Sequence, residues 1–161
     1  MGGGGGDIIM AGMRKLLTVL RYAPALTILC VSWYLSSQQS INDMPVSNVY
    51  RLFLDLPPDS VIESHLPGFI AIDKIVHCVC FAGFAFWTAF GIGLKPPPKV
   101  RLALPVALLA VYAVIDELHQ SLTPSREISV GDWAADVTGA VIGSAVFFYL
   151  ALLAGRALRR G

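Results

Sequence analysis

The chain has 161 residues, of which 55% are hydrophobic and only 14% charged, with a net charge of +1. A soluble domain carries about 25% charged residues, and a near-neutral chain lacks the basic footprint of a nucleic-acid binder. Cys30, Cys78 and Cys80 all fall in apolar runs, which argues against a disulfide framework or a zinc site and leaves them as small apolar fillers.

Residues 1–15 open on a glycine run without a core-forming pattern and read as a disordered lead, or as sequence upstream of a start at Met10 or Met13. A membrane-crossing helix needs about 20 residues to span roughly 30 Å of hydrocarbon. The first candidate runs from about Leu16 to Ser36, with Arg21 snorkelling at one end and Trp33 and Tyr34 at the other interface. Arg14 and Lys15 precede it as in a signal peptide, but no small-residue cleavage site follows, so it reads as a retained span. Pro24 is positioned to kink it.

A polar, proline-rich loop follows, with a short interfacial helix expected around Val49–Leu54. The second span is expected over Ile70–Leu94, the third over Leu102–Leu118 with Pro105 in its first turn, and the fourth over Trp133–Ala154. A basic KPPPK hairpin joins the second to the third, and the polar turn HQSLTPSREISVGD joins the third to the fourth. Residues 156–161 form a basic tail. The expected fold is therefore all-α: one integral membrane bundle of four transmembrane helices over 16–155.

The charges are sorted by side. Nine of the twelve Lys and Arg lie in three clusters, Arg14, Lys15 and Arg21; Lys95, Lys99 and Arg101; and Arg156, Arg159 and Arg160. All acids except Asp7 lie in or beside the other connecting stretches. Lys and Arg in short loops mark the cytoplasmic side. Both termini and the KPPPK turn are accordingly expected in the cytoplasm of a cell with this protein in its inner (cytoplasmic) membrane. The long loop and the HQSLTPSRE turn then face the periplasm or exterior.

That outward end collects the polar residues. Asp73 and His77 share a face of the second helix, Asp116 and Gln120 of the third, and Asp132 and Asp136 of the fourth, each pair at i, i+4. Lys74, Glu117 and Arg126 accompany them. Helix dipoles account for Asp73 and Asp132 near N-termini, and Ser129 stands at capping distance from Asp132. They do not account for Asp116 and Glu117 at a C-terminus, nor for His77 and Asp136 a turn inside. An ionised group at mid-membrane costs about 2.5–3.5 kcal/mol on insertion scales, so Lys74 and Arg126 are expected to turn inward and pair. His65 and His119 read as loop or interface residues. A Lys74–Glu117 ion pair is one structural alternative. Gly139 and Gly143, extended by Ala135, form a small-residue stripe suited to close packing, within the chain or between two copies.

Three runs, WYLSSQ, DKIVHCVCFAGFAF and DELHQSLTPSREISVGDWAADVTGAVIG, resemble the VanZ family of small bacterial membrane proteins, named after a component of a glycopeptide-resistance cluster associated with teicoplanin resistance. The resemblance covers about residues 30–147. The matching positions are Asp73, Lys74 and His77; Glu117 and Gln120; and Arg126, Asp132, Asp136 and Gly139. Asp136 replaces an Asn often found in that pattern. The resemblance implies a multi-pass protein of the cell envelope.

Two functions are weighed. In the first, Asp73, Lys74, Asp116, Gln120, Arg126 and Asp132 line an outward pocket for a lipid-linked or lipid-tailed envelope molecule, such as a wall precursor or lipoglycopeptide, among membrane lipids. In the second, the protein is a membrane-embedded hydrolase or transferase with His77, Glu117 and Asp136 as acid and base groups. No known hydrolase motif is present, and the carboxylates with His77 could alternatively hold a divalent metal, since the ligand types suit one. A flippase or transporter has little room in four spans. Cofactor and oligomeric state stay open.

Overall fold

A computed structural model describes residues 4–38, 42, 47–57, 60–62, 67–123 and 128–159. Among these the regular structure is all helical: α1 Gly4–Leu20, α2 Ala23–Ser36, α3 Ser47–Phe53, α4 Pro67–Ile92, α5 Pro98–Gln120 and α6 Val130–Ala157. Four segments are long and apolar enough to cross a membrane: Ile9–Ser36, Gly68–Ile92, Pro98–Gln120 and Val130–Ala157. The 26 residues of α4 extend about 39 Å at 1.5 Å per residue, and the 28 of α6 about 42 Å. Both exceed the roughly 30 Å of hydrocarbon. Leu108, Val111, Val114, Ile115 and Leu118 of α5 are exposed. A helix that turns such side chains outward needs an apolar surrounding.

The N-terminal stretch differs from the expected disordered lead. It is helical from Gly4, because the apolar Ile8–Met13 segment continues the first span past the Arg14–Lys15 pair. Every described α1 side chain from Ile9 to Leu20 is exposed. The break falls at Arg21–Tyr22, and Pro24 then occupies the first turn of α2, where its missing N–H costs little. Helix α5 starts at Pro98, four residues before the expected Leu102, so Pro105 lies inside the helix and not in its first turn. It is buried there, and it removes the hydrogen bond that Arg101's carbonyl would accept.

Helices α4 and α6 share the most extensive interface. Gly139 and Gly143 make it possible: a Cβ on Gly139 would overlap the backbone of Cys78, and one on Gly143 that of Ala82. The small-residue stripe is therefore used within the chain. The contact pairs advance together along both helices, so α4 and α6 run parallel. Helix α5 runs antiparallel to α6, with Arg101 over the Phe148 ring and Trp133 donating to the Ala110 carbonyl. Helix α2 packs on α4 and α5. Between them lies an apolar core of Ala25, Phe81, Phe84, Ala85, Leu109, Ala113 and Ala140, with Tyr112 against both phenylalanines.

A smaller cluster of Tyr50, Ile62 and Phe69 binds the loop after α2 to the start of α4. Asn42 pins that loop through both its amide atoms to the backbone of Ile62. Arg51 donates to the Ser60 carbonyl at 2.9 Å and to Ser47 at 3.0 Å. Helix α3 thereby sits over the end of the bundle where the polar residues gather.

Candidate functional site

The glycine contact fixes the register of α4 against α6. With Cys78 beside Gly139, the preceding turns place His77 against Asp136 and Lys74 against Asp132. His77 is the eleventh residue of α4, about 15 Å from its start, and Asp136 lies about 9 Å into α6. Because α4 begins at Pro67, His77 is nearer three turns deep than the one expected.

His77 Nδ1 lies 2.9 Å from Asp136 Oδ1. The Asp136 side chain is only 1% exposed, and its second oxygen has no hydrogen-bond partner among the described residues. Asp73 and Asp132 also lie within electrostatic reach of the ring. The candidate ligand atoms of Asp73, His77 and Asp132 all fall within 4.8 Å of one another. Tyr50 of α3 donates a long hydrogen bond, 3.4 Å, to Asp73.

Lys74 does turn inward. Its ammonium pairs with Asp132 and donates to Ser129 Oγ at 3.2 Å. Ser129 is the N-cap of α6 and accepts from the Asp132 amide at 3.2 Å. Its own N–H donates to Glu117 Oε2 at 2.6 Å. Glu117 thus reaches the cluster through a backbone amide at the head of α6, and the ion pair of Lys74 is with Asp132. Arg126 lies outside the described residues.

A second polar group fills the seam between α2 and α5. Ser36 Oγ lies 2.8 and 3.0 Å from the two oxygens of Asp116, within donating distance of either, and Gln120 donates to Asp116 at 3.0 Å. All three residues are buried. A carboxylate held by two donors away from water meets the requirement that buried polar groups be bonded. Asp116 lies within electrostatic reach of Asp136, which joins the two groups. His119 stacks on Trp33 with ring centroids 3.8 Å apart, a half-buried residue at the bundle end.

Sequence reasoning assigned no role to Ser36 or Tyr50. Ser36 carried a signal, a hydroxyl in the last turn of an apolar run inside WYLSSQ. Tyr50 carried none, since its reach to Asp73 depends on how α3 folds back.

Beside Glu117 and Ser129 opens an apolar groove of about 220 Å³, walled by Val114, Leu118, Ile128, Val130 and Trp133. The arrangement thus combines a charged cluster with a lipid-compatible slot at its edge.

These features define a class: a multi-pass membrane protein whose polar site is built at one end of its helical bundle. The family model for VanZ/LLP1 matches residues 22–153. The chain belongs to the VanZ/LLP1 family. No curated protein and no solved structure matches it.

Proposed function

We propose that the cluster holds the polar head of a lipid-linked or lipid-tailed molecule of the cell envelope. One observation carries this reading: Glu117 and Ser129 belong both to the charged cluster and to the rim of the apolar groove. A molecule with a charged head and an aliphatic tail matches both parts at once. Lys74, with its side chain about a third exposed, presents a cation to a phosphate or carboxylate. The charge pattern of the loops supports a cluster at the outer face of the cytoplasmic membrane.

The test is native mass spectrometry of the protein purified in mild detergent. Wild-type protein is expected to retain an acidic lipid, and Lys74→Ala to lose it about tenfold or more. Equal retention by both refutes the reading. The family likeness extends the proposal to glycopeptides: production in a susceptible bacterium lowers teicoplanin susceptibility, and the Lys74 variant does not.

The His77–Asp136 pair favours a second reading, hydrolysis of a phosphate ester in the bound lipid. A buried carboxylate oriented on a histidine is the arrangement of a general base. Water attacks phosphorus as His77 takes its proton, the bond from phosphorus to the lipid-side oxygen breaks, and Glu117 as acid returns a proton to that oxygen. Release of a phosphorylated head from a polyprenyl-linked phosphate by wild type, but not by His77→Ala, separates this from binding alone.

A further inference from the structure

We propose that Asp73, His77 and Asp132 form a binding site for a divalent cation. The geometry is close to what an ion requires. Ligand atoms bound at about 2.1–2.2 Å to one ion lie no more than about 4.4 Å apart. The three donors fall within 4.8 Å of one another, and since three ligands sharing one ion stand about 3–4 Å apart, side-chain movement of up to about 1 Å closes the set. Two carboxylate oxygens and one imidazole nitrogen suit manganese or zinc better than calcium, which prefers oxygen alone.

Asp136 supplies the independent observation. Its side chain is almost fully buried against the cluster through His77, and its second oxygen has no hydrogen-bond partner among the described residues. A water bound to the cation is the kind of donor that oxygen lacks. Its first oxygen lies 2.9 Å from His77 Nδ1, so an ion would take Nε2. Histidines that bind metals are regularly oriented in this way by a carboxylate. Charge points the same way: among the described residues Asp73, Asp132 and Asp136 lie within electrostatic reach of His77, and Lys74 is the permanent cation paired into this group.

Lys74 now sits on Asp132 and therefore competes with an ion for that oxygen. Its exposure gives it room to leave, and once displaced it becomes free to meet an anionic head group. Substitution of Lys74 is therefore expected to act on ion binding with the opposite sign to substitution of Asp73 or Asp132. The inference does not depend on which lipid the site holds, because cation binding is measured without lipid.

Full-length protein in detergent, stripped with chelator, is titrated with Mn²⁺ and followed by electron paramagnetic resonance of the free ion. Wild-type protein is expected to bind one ion. Asp73→Asn and Asp132→Asn weaken it about tenfold or more, and Asp136→Asn, which keeps the ligand set, by about 10–100-fold. Lys74→Met tightens it several-fold. Asp55→Asn, an exposed acid far along the loop, leaves it unchanged. Size-exclusion profiles identify any variant that fails to fold, and the gain in Lys74→Met cannot arise from misfolding. No binding by wild type, equal binding by the Asp73 and Asp132 variants, or loss of binding in Lys74→Met overturns the proposal.

Discussion

Replacing Gly139 by Ala tests whether the α4–α6 contact sets the site. A Cβ there would stand 2.9 Å from the carbonyl carbon and closer still to the oxygen of Cys78, and 3.0 Å from the amide nitrogen of Ala82. Carbon atoms pack at about 3.5–4.0 Å. The obstructing atoms are backbone, so no side-chain rotation relieves the overlap, and the helices must separate by about 1 Å. Overpacking of this kind costs about 1–3 kcal/mol, which lowers a thermal midpoint by about 2–10 °C for a chain of this size. The same displacement stretches the His77–Asp136 contact from 2.9 Å to near 4 Å, past hydrogen-bonding range. Thermal unfolding in detergent, read with retention of the acidic lipid, is the assay. Both are expected to fall, and Gly143→Ala to act likewise through Ala82. Gly12→Ala, with open space around it, serves as the control and changes neither. A Gly139→Ala protein with wild-type midpoint and wild-type lipid retention refutes the reasoning.

Two further outcomes follow from the geometry. Ser36→Ala removes a donor from buried Asp116 and should cost about 1–3 kcal/mol, while Asp116→Asn added to it should recover part of the loss in the same unfolding assay; a neutral Ser36→Ala would show that water replaces the hydroxyl. Single cysteines introduced at Lys95 and Asn42 of a chain freed of its native cysteines should be labelled from the cytoplasm and from outside respectively by an impermeant maleimide, and the reverse pattern would invert the proposed orientation.

The four spans were legible in the sequence because length and apolar content alone define a crossing helix. Their ends were not. The expected starts at Ile70 and Trp133 each fall about a turn late, since α4 begins at Pro67 and α6 at Val130. The residues of the site were legible as a group through their i, i+4 spacing. Their pairing was not, since it depends on how one helix slides along another. Lys74 meets Asp132, and Glu117 meets the Ser129 amide, because Gly139 and Gly143 lock α6 at one height on α4. The expected inward turn of Lys74 occurs; the fate of Arg126 lies outside the described residues. The extension of the first helix to Gly4 ran against the glycine-rich composition there.

Ser129 has a consequence of its own. Its side chain caps α6 and accepts from Lys74, while its amide holds Glu117. A single small residue is thereby the common anchor of three helices. Any displacement of Ser129 therefore reaches Lys74, Glu117 and the head of α6 in one step, so this one residue serves as a handle on the buried charges.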